Sequence, residues 1–376
     1  MKKIIFIALI FCFLHVQIYA KTVENIEAAS YVLMDGENGN VLLEKNKDMK
    51  LPPASITKIM TMLLTFEAIS DGKITLDDVV TVSETAAQHE GSHVYLESGE
   101  QITVHDLLKA VAVASGNDAA NALAEYVGGD LDSFVEMMNQ KAKDLHMDNT
   151  FFINCNGLDA EGHLSTASDI AKMTFEISKH PSVFKYTSIW IDSLRNGVFQ
   201  LSNTNKLIRF YDGATGMKTG FTSQAGYCLS ATAERNGVKM IAVVMHSPTS
   251  SARFGDASAL LNYGFENYTL VQPYKTRDVV GKLTLKNGQK NKTSAIVDKD
   301  VNILLSKNEL NNLQEEILIK KDLVAPITKN TVVGEIAFKV NERVVGRAKI
   351  VPAEEVNAIT FGFVLNKFIS NYISWI

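Results

Sequence analysis

The sequence predicts an α+β fold with a mostly antiparallel sheet, then a small all-β unit and a C-terminal amphipathic helix. Three observations predict it. Before Tyr268, strand-like runs open and close the chain while long apolar helical stretches fill its middle. After Tyr268 only short strand-like runs separated by turn signals remain. From Ile359 onward, large apolar residues recur at helical spacing. The chain has 376 residues, 46% hydrophobic and 21% charged, with 23 Gly and 7 Pro. That size suits about two domains, and the apolar content excludes a disordered or low-complexity protein. The formal net charge of −5 lacks the basic surplus of a nucleic-acid binder. Three cysteines are too few for a disulfide scaffold.

Met1-Lys2-Lys3 is followed by an unbroken apolar run from Ile4 to Leu14, too short for the ~20 residues of a membrane span. Ile18-Tyr19-Ala20 ends in a small residue, so residues 1–20 read as a cleaved secretory signal rather than a buried helix. Leu9-Ile10-Phe11-Cys12 lacks the small residues of a lipoprotein site. The protein is thus expected outside the cytoplasm, and nothing in the sequence pairs its two remaining cysteines, Cys155 and Cys228.

Tyr31 to Asp35 and Val41 to Leu43 flank Gly36-Glu37-Asn38-Gly39-Asn40 and predict a hairpin. Pro52-Pro53 stops any strand, and Ile56 to Ile69, free of Gly and Pro, predicts a buried helix. Val104 to Tyr126 is a second helical region, broken at Ser115-Gly116-Asn117. Tyr227 to Ala233 and Met240 to Met245 flank Asn236-Gly237, a strong hairpin signal. Val279 to Leu285, Ser294 to Val297, Val301 to Leu305, Glu316 to Leu318, Val332 to Val340 and Val344 to Val351 are the strands of the small β unit. In the tail, Ile359, Phe363, Phe368, Ile369, Tyr372, Ile373 and Ile376 share one side, while Lys367, Ser370, Asn371 and Ser374 share the other. This is expected to lie in a membrane interface, held mainly by apolar contact because only one lysine is present; the alternative is a helix docked on the protein's own core.

Three short motifs carry the chemistry. In Ser55-Ile56-Thr57-Lys58, a spacing of three places Ser55 and Lys58 on one helix face. A serine hydroxyl needs a base, and a lysine whose pKa is lowered by burial or neighbours is one. Ser115-Gly116-Asn117 breaks a helix and can project a hydroxyl and an amide into a cleft. In Lys218-Thr219-Gly220, a glycine on a strand edge lets a ligand approach the backbone. Each is weak alone: Ser182-Val183-Phe184-Lys185 and Ser306-Lys307-Asn308 repeat two of the patterns.

In this order and separation, however, the set resembles that of penicillin-binding proteins and serine β-lactamases. Pro53 to Lys58, Ser115 to Ala120 and Lys218 to Thr222 resemble more closely the D-alanyl-D-alanine carboxypeptidase branch, as do Asn149-Thr150, Asn154 with Gly157-Leu158, and Arg253 followed by Tyr263-Gly264-Phe265. The resemblance covers roughly residues 24 to 352, and an amphipathic tail is also a feature of that branch. It implies a β-lactamase/transpeptidase-like sheet with helices on both faces in residues 21–270. A small β-sandwich-like domain at 271–352 and an anchoring helix at 353–376 would follow.

The resemblance implies that Ser55 attacks the carbonyl between two D-alanines of a peptidoglycan stem peptide and that Lys58 accepts its proton. The nearby Lys218 and a dry cleft would keep Lys58 deprotonated. Ser115 would relay the proton to the leaving D-alanine, and Asn117 would bind the substrate amide. Lys218 and Thr219, beside Gly220, would hold the terminal carboxylate, and the backbone N–H groups of Ser55 and Phe221 would form the oxyanion hole. β-Lactams would acylate Ser55. No metal or organic cofactor is implied. Some relatives carry His where this chain has Phe221, which puts side-chain contacts at that point in doubt.

The other readings are weaker. His89-Glu90-Gly91-Ser92-His93 matches a zinc-protease pattern, but Gly91-Ser92 interrupts the helix which that chemistry needs. A β-lactamase would need an activated deacylating water, and no Glu-x-x-x-Asn element lies between Asn117 and Lys218. A transpeptidase or endopeptidase would carry the same motifs. An inert peptidoglycan-binding scaffold is not favoured when all three motifs are intact.

Overall fold

The computed structural model describes residues 22–88 and 90–373. The expected signal segment, His89 and the last three residues lie outside the described residues. In chain order, β1 (Ser30–Asp35) and β2 (Val41–Lys45) form the predicted hairpin, and a 3-10 turn at Ala54–Thr57 runs straight into α1 (Lys58–Ser70). The ribbon of β3 (Val79–Thr81) and β4 (Gln101–Thr103) leads to α2 (Val104–Lys109), a π-turn at Ala110–Ala114, α3 (Asn117–Gly128) and α4 (Leu131–Asp144). Next come α5 (Ala167–Ser178), the short α6 (Phe184–Thr187), the ribbon of β5 (Ile191–Leu194) and β6 (Phe199–Ser202), and the short α7 (Leu207–Phe210). Three long strands, β7 (Ala214–Thr222), β8 (Gly226–Arg235) and β9 (Val238–Ser247), precede α8 (Ser250–Asn267).

The main sheet has the order β2-β1-β9-β8-β7 and is antiparallel throughout. Asn236 and Gly237 both take positive φ, 51° and 77°, as a tight hairpin turn requires. Val32 lies opposite Val243, so the first strand closes onto the last and leaves β7 as a free edge. Alternating residues serve two cores. Val32, Met34, Val243 and Met245 face α1, α3 and α5, whereas Leu33, Ala231, Ala242 and Val244 face Leu260 and Leu261 of α8. Helices therefore cover both faces. α1 is buried on nearly all sides, which explains why its sequence shows little polar stripe. Asp256 of α8, fully buried, accepts from Glu27 N, Ala28 N and Ser247 Oγ and ties the entering chain to the end of β9.

The C-terminal part is β-rich: β10 (Tyr268–Tyr274), β11 (Val279–Lys286), β12 (Lys292–Val297), β13 (Val301–Ser306), β14 (Leu313–Ile319), β15 (Leu323–Val324), β16 (Gly334–Val340) and β17 (Arg343–Pro352). Six strands order as β14-β16-β17-β12-β11-β15, and β10 pairs with β13 alone. Ile303, Ile336, Phe338 and Ile350 fill the core between them. The strand at Tyr268–Tyr274 escaped the sequence reading because Pro273 interrupts it; the structure absorbs the proline in a register shift between Val271 and Tyr274.

The tail helix is shorter than expected. α9 runs Phe361–Ile373, while Val356 and Ala358 are bridged to Ile327 and Gly288 and continue the β unit. Val356 is buried in that core, which holds residues 355–360 extended. Phe361, Phe368 and Ile373 are exposed, so α9 is not docked on the core. Among the described residues, no helix is long and apolar enough to cross a membrane.

Replacing Asp256 by Ala removes the acceptor of two backbone N–H groups, that of Ala28 buried, and of a buried hydroxyl. Urea unfolding should show a loss of about 3 kcal/mol; a loss below about 1 kcal/mol would mean water replaces the carboxylate.

Candidate active site

The site begins with a close approach of backbones. Ala54, just before Ser55, has φ 49°, a conformation that costs a non-glycine residue energy. Two glycines let neighbouring chains press against it. A Cβ on Gly157, itself at φ 86°, would fall 2.0 Å from Ala54 O, and one on Gly220 would fall 2.8 Å from Pro53 O. At Gly220 the group that approaches is therefore the turn bearing Ser55, not a ligand as the sequence suggested. This contact places the backbone of Phe221 beside Ser55.

Lys58 opens α1 and is fully buried. Its Nζ lies 3.0 Å from Ser55 Oγ, 2.6 Å from Asn117 Oδ1 and 2.6 Å from Asn156 O. Burial lowers its pKa to about 7, with the Asp118 carboxylate acting the other way. A neutral amine has two N–H groups and one lone pair. Two of the three neighbours are carbonyl oxygens that only accept, so they take both N–H groups. The lone pair is left for the hydroxyl of Ser55, the geometry a general base needs. Burial, rather than the neighbouring cation, is the leading cause of this neutrality.

Asn117 and the loop at 153–158 build this arrangement. Besides holding Lys58, Asn117 donates from Nδ2 to Glu90 O at 2.6 Å, which leaves one amide N–H free of these ties. Its neighbour Asp118 accepts from Val94 N and Leu96 N and clamps the adjacent wall. In the loop, Asn154 Oδ1 accepts from Gly157 N, Asn156 Nδ2 donates to Asn121 Oδ1, and Thr61 Oγ1 donates to Cys155 O. His163 Nδ1 accepts from Ile153 N, so Nε2 carries the proton toward Thr57 Oγ1 at 2.9 Å. Burial pushes the His163 pKa down to about 4, which keeps this neutral form. Cys155 and Cys228 are both free and buried, and burial pushes the Cys155 thiol up to about 12, leaving it uncharged beside Lys58.

Ser115 ends the π-turn with φ 63° and ψ 30°, and this left-handed residue breaks the helix where the sequence predicted. On the opposite wall, the edge strand β7 carries Lys218 and Thr219, both buried. Lys218 Nζ donates to Thr219 O at 3.0 Å, and Thr219 Oγ1 donates to Thr204 Oγ1 at 2.6 Å. Arg253 reaches in from α8 and donates to Gly220 O, while its buried Nε has no partner. Burial, with Lys58 and Arg253 adding repulsion, holds Lys218 well below the usual lysine range; burial likewise pushes Arg253 down to about 10. Phe221 is half exposed at the rim and stacks on Tyr227 at 4.3 Å, and the Arg253 guanidinium lies 5.4 Å from the Tyr227 ring.

The structure brings Lys58 and Asn117 together at Ser55 and sets Lys218, Thr219, Gly220 and Phe221 on the edge strand β7, while Ser115 ends the helical turn two residues before Asn117. Asn156, Thr204 and His163 were missed, since a main-chain carbonyl and single polar residues in loops carry no pattern; Asp118 lies within the run Ser115 to Ala120 but was given no role. The lookalike Ser182 to Lys185 leaves its lysine exposed. His93 Nδ1 lies 2.7 Å from Gly91 O, and among the described residues no cluster suits a metal.

A serine facing a buried neutral lysine, opposite a cationic strand edge, defines a serine acyl-transfer enzyme of the penicillin-binding type. Residues 17–249 match the D-alanyl-D-alanine carboxypeptidase family, and residues 268–358 match the C-terminal domain of penicillin-binding protein 5. The chain is 40% identical over 339 residues to the D-alanyl-D-alanine carboxypeptidase DacF of Bacillus subtilis, covering 89% of this chain and 87% of that one. Penicillin-binding protein 5 from Haemophilus influenzae superposes with a TM-score of 0.77 at 32% identity, covering 88% and 98% of the two chains. Penicillin-binding protein D2 from Listeria monocytogenes, solved with ampicillin bound, matches with a TM-score of 0.58 at 34% identity over 64% and 98%. The chain belongs to the D-alanyl-D-alanine carboxypeptidase family and is a serine carboxypeptidase acting on peptidoglycan.

Because Lys58 must be neutral to accept a proton, kcat/KM for D-alanine release should fall about tenfold per pH unit below about 7 and level off above it. A flat profile from pH 5 to 8 would contradict a lysine base. Gly157→Ala should lower kcat/KM by at least about a hundredfold, because it displaces the turn at Ser55; unchanged kinetics would show that the turn yields freely.

Proposed function

We propose that Ser55 is the nucleophile of a D-alanine-releasing carboxypeptidase and that Lys58 is its base. The observation that carries this reading is the hydrogen-bond arithmetic at Lys58 Nζ, which leaves a lone pair aimed at Ser55 Oγ. Ser55 Oγ attacks the carbonyl carbon between the two D-alanines as its proton passes to Lys58 Nζ. The backbone N–H groups of Ser55 and Phe221 receive the developing oxyanion. Collapse breaks the peptide bond, and Ser115 passes the proton to the departing amine of the terminal D-alanine. Water then hydrolyses the ester on Ser55 and frees the shortened stem peptide.

The terminal carboxylate of the substrate goes to the cationic wall. Lys218, Thr219 and Arg253 lie together there, and burial is the leading cause of the lowered pKa of Lys218 and of Arg253. A bound carboxylate offsets the desolvation of these cations, which selects a chain end over an internal peptide bond. Asn117 first orients Lys58, and its remaining N–H is available to the substrate amide. β-Lactams, with a strained amide and a carboxylate of similar placement, acylate the same serine. The reaction uses no metal or organic cofactor.

The enzyme works outside the cytoplasm, exported by residues 1–20 and attached to the outer face of the cytoplasmic membrane by α9. The exposed aromatic and aliphatic side chains of α9 support the attachment.

Incubating the mature protein with a fluorescent penicillin and mapping the adduct by mass tests the nucleophile. A lasting adduct on the peptide containing Ser55, absent in Ser55→Ala and slowed by roughly 10³-fold in Lys58→Met, is expected. An adduct elsewhere, or rapid release of hydrolysed penicillin, would overturn the assignment. Ending the chain at Thr360, which keeps Val356 and Ala358 in the β unit, should abolish binding to phospholipid vesicles with kcat/KM unchanged; a shortened protein that still sediments with vesicles would remove the role given to α9.

A further inference from the structure

The β-rich C-terminal domain holds a cavity of about 420 Å³ whose lining includes no residue of the cleft at Ser55. Val351 and Pro352 contribute apolar surface, and Arg277, Lys329, Lys349 and Asp298 supply charge. Backbone hydrogen bonds bring these segments together. Arg277 N donates to Val297 O at 2.9 Å, Asp298 N donates to Lys349 O at 3.3 Å, and Val333 N donates to Ile350 O at 2.9 Å. Arg277 has φ 73°, a strained conformation of the kind that clusters at ligand sites.

The charges make no fixed polar contact, although Lys329 acts on Glu354 through space. Several other cations of this domain are matched, among them Lys286 with Asp322, Lys290 with Glu354, Lys339 with Glu316 and Arg343 with Glu309. Among the described residues, Arg277, Lys329 and Lys349 make no ion pair and no side-chain hydrogen bond. Asp298 Oδ1 is buried with no partner. A purely anionic ligand would meet the Asp298 carboxylate, and a neutral ligand would leave three cations idle. The complement is a zwitterion: carboxylates for the cations, an ammonium for Asp298, and a short aliphatic body for the apolar surface.

We propose that this cavity is a second, non-hydrolytic site for a zwitterionic peptidoglycan stem peptide. It rests on the enzyme's acting on peptidoglycan. Such a peptide combines free carboxylates, a side-chain amine and alanyl methyl groups. A stem held here tethers the enzyme to the polymer while the cleft at Ser55 trims a neighbouring stem.

The test is calorimetric binding of the tetrapeptide L-Ala-γ-D-Glu-L-Lys-D-Ala to the full-length protein whose cleft has been acylated by ampicillin. The acylated protein should still bind one peptide. Arg277→Gln with Lys349→Gln should weaken binding about tenfold or more, as loss of charged hydrogen bonds does. Asp298→Asn should weaken it too, and acetylating the lysyl amine should weaken binding to the native protein but not further to Asp298→Asn. Cleavage of a soluble pentapeptide should be unchanged in these variants. Absence of binding to the acylated protein, binding indifferent to all three substitutions, or equal binding of the acetylated peptide or of inorganic phosphate would overturn the proposal. A failure of ampicillin to acylate would count against the Ser55 reading instead. The native and substituted proteins would then be compared unacylated, and an unchanged affinity and stoichiometry in the cavity variants would still overturn the second site.

Discussion

A neutral amine inside a dry protein is the constraint on which the rest of the site depends. Lys58 is fully buried, and a charged ammonium there would lack the hydration that offsets its cost. The protein meets this constraint by lowering its pKa to about 7 and by spending both amine hydrogens on Asn117 Oδ1 and Asn156 O. Much of the surrounding architecture serves to hold those two oxygens. Asn117 stands where Ser115 breaks the helix, and Asn156 stands in a loop wired to α1 and α3 through Thr61 and Asn121. Deleting either carbonyl would free an N–H to compete for Ser55, and the lone pair would no longer point one way.

The opposite wall is governed by burial. Lys218 and Arg253 sit there in a dry place, and burial, ahead of any neighbouring charge, drives both away from the charged form. Such an arrangement stores unfavourable energy in the free enzyme that a carboxylate-ended substrate relieves. The same feature that makes the cleft costly to build makes it selective. β7 is the edge strand of the sheet, paired with β8 and reached from α8 by Arg253.

The fold was legible wherever one local pattern dominated. The β8–β9 hairpin was written in Asn236-Gly237, and the buried α1 in an apolar run without Gly or Pro. β10 was hidden by Pro273, and the start of α9 was misplaced because Val356 is drawn into the β core. At the site, Ser55, Lys58, Ser115, Asn117 and Lys218 to Phe221 were legible from the residues and from a family resemblance together. The roles of Gly157 and Gly220 were not, because a glycine's function here is the space it leaves for a distant backbone. Asn156 was invisible for a similar reason: its contribution to Lys58 is a main-chain oxygen, which any residue supplies.

The protonation state of Lys58 in the resting enzyme tests the central claim most directly. With lysines labelled at Cε with carbon-13, the Lys58 resonance, assigned by comparison with Lys58→Met, would be followed by NMR from pH 5 to 10. The account predicts a titration centred near 7, far below that of the exposed lysines. A Lys58 resonance that stays in the charged position to pH 9 would contradict it, because the amine would then have no lone pair to offer Ser55.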